Sequence, residues 1–161
     1  FRLSVNPNLS LGGQVGYVNA KLDETVKAGP TAPLNLVTAG NAIPLNPWQV
    51  SLNGQNSYGL LGQDGYTRSD YRYQSKQNDA TAARDPRNGG ADLTIPGRQA
   101  LHTLSMRTGV KTETLDISLF VNNVFNTNRT LFRQHDTALS PLYRATTVRP
   151  RTVGLTISAR Y

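Results

Sequence analysis

The sequence predicts an all-β chain: an antiparallel up-and-down sheet belonging to a transmembrane β-barrel, a partial barrel of about seven strands of a larger one. Three observations predict it. Residues 152–161 alternate strictly, with Val153, Leu155, Ile157, Ala159 and Tyr161 set against Thr152, Gly154, Thr156, Ser158 and Arg160. Successive side chains of a strand point to opposite faces, so one face is apolar and the other small, polar and finally charged. Similar segments recur along the chain, and the connections between them run short, long, short, long, short, long. A meander puts every long loop of that series on one edge and every short turn on the other. Third, the apolar content is thin, 37% of 161 residues beside 14 Gly and 9 Pro. No stretch approaches the roughly 18 consecutive apolar residues of a spanning helix, and barrel strands need none. The same alternation also suits a water-soluble β-sandwich binding module, which stands as an alternative. The terminal aromatic favours the barrel, because barrels of the outer-membrane kind place aromatic girdles at the membrane boundary.

Phe1 to Val5 reads as the end of a strand with Phe1, Leu3 and Val5 on one face, and Asn6-Pro7-Asn8 as a tight turn. From Leu9 to about Leu22, Leu11, Val15 and Tyr17 oppose Ser10, Gly12, Gln14 and Gly16. That length exceeds the roughly 9 to 11 tilted residues that cross a bilayer. Between residues 23 and 46 the period is lost among Gly29, Pro30, Pro33, Gly40 and Pro44, which predicts a long loop without regular elements. Pro47 opens the next strand, in which Trp48, Val50, Leu52 and Tyr58 share a face and the two aromatics bracket it. After a turn over 59–65, Tyr66 to Gln74 carries Arg68, Asp70, Arg72 and Gln74 on one face. Three charges at period two cannot face lipid, so they belong to a wet lumen. A second long loop covers 76–97. Arg98 to Val110 resumes the alternation with Leu104, Met106, Thr108 and Val110, and Lys111-Thr112-Glu113 turns the chain. Leu115, Ile117, Leu119 and Val121 then oppose Asp116, Ser118, Phe120 and Asn122. The third long loop, about 126–149, leads to the closing strand.

The run Leu119-Phe120-Val121-Asn122-Asn123-Val124-Phe125-Asn126, followed by Pro150-Arg151-Thr152-Val153-Gly154-Leu155-Thr156 and a terminal aromatic, resembles the C-terminal end of TonB-dependent outer-membrane receptors. Asn46-Pro47-Trp48 is similar to a preceding segment of that family. The resemblance covers the whole chain in pattern and is specific over roughly the last fifty residues. It implies that residues 1–161 are the C-terminal part of a receptor β-barrel, with the plug domain and the N-terminal strands absent. It further implies a multi-pass β-barrel of the bacterial cell outer membrane that takes up a scarce solute of the siderophore, vitamin or oligosaccharide class. The implied partners are outer-membrane lipid, TonB through the absent N-terminal region, a small-molecule or oligosaccharide substrate, and the barrel-assembly machinery. That machinery would read Val153, Leu155, Ile157 and Tyr161 as its C-terminal signal. A passive porin and an outer-membrane barrel enzyme remain as alternatives.

Chemistry-bearing residues are few. The net charge is +7, but no basic run is interleaved with stacking aromatics, so no nucleic-acid partner is expected. Without Cys there is neither a disulfide scaffold nor a thiolate metal site. His102 and His135 lie far apart without carboxylates at metal-ligand spacing, so neither metal nor cofactor is expected. No Gly-x-Ser-x-Gly element occurs, and no bond-making chemistry is implied. Arg133, His135, Asp136 and Arg144 crowd the last loop as candidates for contact with an anionic or polar substrate, against the plainer reading of solvated loop charges. Asn122 and Asn123 read as strand terminators rather than ligands.

Overall fold

A computed structural model describes residues 1–137 and 140–159. In chain order the strands are β1 (Arg2–Asn6), β2 (Leu9–Tyr17), β3 (Val26–Lys27), β4 (Asn35–Val37), β5 (Trp48–Leu60), β6 (Gln63–Gln74), β7 (Leu101–Lys111), β8 (Leu115–Asn122), β9 (Thr130–His135), β10 (Tyr143–Thr147) and β11 (Thr152–Ala159), with one 3-10 turn at Ala82–Arg84. Seven form a single sheet in the order β1-β2-β5-β6-β7-β8-β11. Every neighbouring pair in it is antiparallel. The architecture is therefore all-β and up-and-down, with the three long loops on one edge and the short turns on the other.

The turns follow from local chemistry. The Asn6 side-chain oxygen accepts hydrogen bonds from the Asn8 and Leu9 amides at 2.9 and 2.8 Å, closing β1 onto β2. Leu61 and Gly62 join β5 to β6 with φ of 54° and 79°. A two-residue hairpin of this hand requires positive φ at both positions to match the strand twist. At the end of β8, Asn123 and Asn126 also adopt positive φ. The Asn123 amide donates to the Thr127 and Arg149 carbonyls, 3.0 Å each, and its oxygen accepts from the Thr127 amide at 2.9 Å. The Asn-rich corner is thus a strand terminator.

Several boundaries differ from the sequence reading, among them the start of the strand expected at Arg98, which is Leu101. β2 stops at Tyr17 rather than Leu22, and beyond it the segment keeps only irregular bonds, such as those from the Val18 amide to the Pro47 carbonyl and from the Leu22 amide to the Asn41 carbonyl. The turn predicted over 59–65 shrinks to two residues, and the ladder runs on to Leu60 opposite Gln63. Gly65 is no breaker here: it is the space over which the Tyr58 ring lies, since a Cβ there would stand 2.6 Å from that ring. Nor are the long loops irregular throughout. The first contains the β3–β4 hairpin, the second the 3-10 turn, and the third the β9–β10 hairpin.

Register aligns the side chains in cross-strand rows. Met106, Val121 and Val153 form one row, Thr108, Leu119 and Leu155 the next, and Tyr58, Gly65, Val110, Ile117 and Ile157 a third. The opposite face carries rows such as Arg68, Arg107, Phe120 and Gly154, and Asp64, Lys111, Asp116 and Ser158. There Arg68 grips Asp70 through two bonds of 2.8 and 2.9 Å. The Lys111 ammonium lies 5.0 Å from the centre of the Tyr66 ring, whose hydroxyl donates to Asp116 at 3.0 Å. The apolar face is uncovered: Val153, Leu155 and Ile157 are 67%, 57% and 62% exposed. Among the described residues the one buried apolar side chain is Ala42, which lies in a loop. A sandwich would lay a second sheet on this face, and among the described residues no layer covers it.

At the long-loop edge Trp48 packs against Tyr17 with ring centres 4.7 Å apart and planes tilted by 46°. From Trp48 to Tyr58 the chain takes ten steps, which at ~3.3 Å each and a ~40° tilt spans about 25 Å, the height of an outer-membrane barrel's apolar band. The two aromatics therefore stand where two girdles would.

Candidate functional site

The three long loops, residues 18–47, 75–100 and 123–151, meet above the sheet edge and are tied by polar bonds. Five buried residues lie in the first two: Thr38, Asn41, Ala42, Thr81 and Asn88. The Asn41 amide donates to Asp85 at 2.7 Å, and its oxygen accepts from the Asn88 amide at 2.8 Å and the Thr38 backbone at 2.9 Å. Asn88 also donates to the Ala82 carbonyl at 3.0 Å and accepts the Thr38 hydroxyl at 2.7 Å. Backbone bridges between Ala42 and Thr81 and between Asn35 and Asn88 complete the clasp. A buried polar group is costly unless bonded, so this network fixes the two loops as one body. Arg87 closes on Asp85 at 2.7 Å. Its guanidinium, helped by the Asn41 amide, holds the Asp85 carboxyl far below the usual carboxylate range.

The third loop is fastened to the second. His135 Nε2 lies 3.1 Å from Asp92 and 3.0 Å from the Thr94 hydroxyl oxygen. Thr94 donates to Asp92 at 2.6 Å, and the Tyr143 hydroxyl donates to Thr94 at 3.4 Å. The Thr94 hydroxyl bond, followed by backbone bonds and His135, holds the Asp92 carboxyl below its ordinary value. Acid and hydroxyl meet the same ring nitrogen. A nucleophilic relay needs them on opposite nitrogens, so this trio is a clasp and not a Ser-His-Asp type of triad.

The four sequence candidates separate into two pairs. Asp136 and Arg144 form an exposed ion pair of 2.8 Å across the β9–β10 hairpin. His135 sits in the clasp, and Arg133 is half-buried beside it with its guanidinium 5.4 Å from the Tyr143 ring centre. Arg133 also lines a cleft of about 400 Å³ between the second and third loops, together with Arg98 and Arg129. A second cleft of about 350 Å³ shares Arg98 and Arg133 with it and extends to Pro44 of the first loop. Sequence reasoning missed Arg98 and Arg129, as well as Asn41, Asp85, Asn88, Asp92 and Thr94. Arg98 and Arg129 belong to different loops, and the bonds that join the loops link positions far apart, 44 in the case of Asn41 and Asp85 and 41 in that of Thr94 and His135, so no periodicity marks them. Of the proposed assembly signal, Val153, Leu155 and Ile157 project from the apolar face, and Tyr161 lies outside the described residues. Among the described residues no group of three or more His, Cys, Asp or Glu is placed to hold a metal ion. No helix among them is long and apolar enough to cross a membrane, which leaves open a crossing by strands.

No family model and no curated protein matches the chain. Among solved structures it is similar to the ferric yersiniabactin uptake receptor FyuA from Yersinia pestis, with a TM-score of 0.71 and 15% sequence identity over 99% of this chain and 22% of that one. The chain thus spans about a fifth of that receptor's length. At this identity the likeness is one of fold: the chain has the fold of a portion of that receptor.

Proposed function

We propose that the chain is part of a TonB-dependent receptor of the bacterial outer membrane, and that its strands form barrel wall while its three joined loops help to hold a scarce solute outside the cell. The observation that carries this is the uncovered apolar face of a seven-stranded meander whose other face is charged. Water cannot favour such a surface, whereas lipid on one side and a wet lumen on the other satisfy both faces. The corner at Asn122 to Asn126 and the Pro150 to Thr156 segment support a place at the C-terminal end of the barrel. The plug, the TonB contact and the remaining strands would lie in other parts of the same protein. The uptake of a ferric siderophore by the similar receptor makes siderophores the first of the three solute classes to test.

The test is uptake of iron-55 as ferric siderophores by iron-starved cells carrying or lacking the full-length receptor, each with and without TonB. Accumulation that requires both receptor and TonB is expected. Uptake that persists without TonB would indicate a passive pore and overturn the reading.

A further inference from the structure

We propose that the cleft between the second and third long loops is a binding site for an anionic oxygen group, a phosphate or carboxylate, gripped by Arg98, Arg129 and Arg133. The inference rests on the proposed function only for placing this edge outside the cell. Three arginines line one cleft of about 400 Å³, and no Asp or Glu lines it with them. Like charges gathered on one cavity repel, so an arrangement without a counter-charge is raised in energy until an anion enters.

Three other loop cations are matched, whereas Lys21 and Arg151, both exposed, have no ion-pair partner among the described residues. Arg87 pairs with Asp85, Arg144 with Asp136 and Lys76 with Asp79. Two acids beside the cleft are already engaged. Asp79 abuts Gly97 and faces Lys76, and Asp92 is held by Thr94 and His135. By contrast, among the described residues the side chains of Arg98, Arg129 and Arg133 have no hydrogen-bond or ion-pair partner, and the Arg133 Nε is buried without one. Stacking on Tyr143 positions the Arg133 guanidinium without using any of its N–H donors.

The chemistry of the ligand follows from the donors. A guanidinium presents a planar fork that matches the two oxygens of a carboxylate or phosphate. Asn128 and Thr130 add neutral donors to the same lining. The volume lies within the roughly 300 to 1,000 Å³ of small-molecule pockets, so the anionic group can belong to a larger solute. A lipid headgroup phosphate offers the same chemistry.

The experiment uses the full-length receptor and has two arms. In nonionic detergent it is titrated by calorimetry with inorganic phosphate and with citrate. In nanodiscs, binding of lipid A is compared with that of phosphatidylcholine. The variants are R98Q/R129Q and R98K/R129K, with heat-modifiable migration as the check that the barrel has formed. Saturable binding that falls about tenfold or more in the Gln variant, and less in the Lys variant, is expected from the loss of charge-assisted hydrogen bonds. Binding of phosphate or citrate identifies a soluble ligand, and binding confined to lipid A identifies a headgroup. No saturable binding by the unaltered receptor in either arm, or equal binding by the folded Gln variant, overturns the proposal. TonB-dependent uptake is read separately, so either proposal can fail while the other stands.

Discussion

Asn88 gives both ends of its amide to neighbours: its nitrogen serves Asn41 and the Ala82 carbonyl, and its oxygen takes the Thr38 hydroxyl. Asn88→Ala strands those groups in a buried place, at about 1 to 3 kcal/mol per group left unsatisfied. Hydrogen exchange in the full-length protein should then quicken at the amides of residues 38–43 and 80–89 while β5 and β6 keep their protection. Unchanged loop exchange would mean that the network does not fix the loops. Asp85 adds a dependence on pH. Its carboxyl is held below its ordinary value by Arg87 and Asn41, so the folded loops bind its proton less readily than the unfolded chain does. That contribution is complete above the unfolded value of about pH 4 and is lost as pH falls below it. Protease cleavage of the first two loops should therefore stay flat from pH 7 to about 5 and rise under stronger acid. In Asp85→Asn, cleavage should be higher at neutral pH and rise less on acidification.

The strands answer to a different constraint, which is pairing at close range. A Cβ on Gly109 would stand 2.7 Å from the Ser118 Cβ and 2.8 Å from the Ile117 carbonyl oxygen, whereas one on Gly16 would meet nothing within 4 Å. Backbone cannot step aside as a side chain can. Gly109→Val should accordingly cost about 1 to 3 kcal/mol by overpacking, with Gly16→Val closer to neutral, measured as the urea midpoint of the refolded full-length barrel. Facing is testable on β11. Leu155 pairs with Leu119 on the apolar side and Thr156 with Ser118 on the polar side. Leu155→Arg should cost roughly 2 to 4 kcal/mol near the midplane in vesicle refolding, and Thr156→Arg distinctly less. Equal costs would refute the assignment of faces. These strands were legible in the sequence because an apolar and a polar face write a period of two into each of them. The β3–β4 hairpin was not, since strands of two and three residues are too short to show a period. Gly65 misled for the opposite reason: a glycine that serves as space for Tyr58 looks the same as one that breaks a strand. The Arg98, Arg129 and Arg133 cleft was only one-third visible, through Arg133, because the loops that gather it are joined by Asp92, Thr94 and His135 rather than by any local pattern.

At the scale of the whole molecule, surface area decides what this chain can be on its own. It exposes 11377 Å², whereas a compact monomer of 17.6 kDa exposes about 7,900 Å² by the usual scaling of surface with mass. The excess is what a wall has and a globule lacks. The seven-stranded sheet has β1 at one edge and β11 at the other, each paired on one side within the sheet. Open edges are templates for further pairing, and lipid cannot satisfy their backbone groups, so a barrel must supply strands for both. The 161-residue chain, expressed alone and refolded in water without detergent, should therefore yield aggregates or a broad mixture of oligomers by light scattering, with no cooperative urea transition. Joined to the remaining strands in detergent, the same residues should show protected amides along β5 to β8 and resist proteolysis outside the loops. A monodisperse monomer of the isolated chain in plain buffer, unfolding cooperatively, would show that the apolar face finds a cover within these residues and would remove the ground for placing it against lipid.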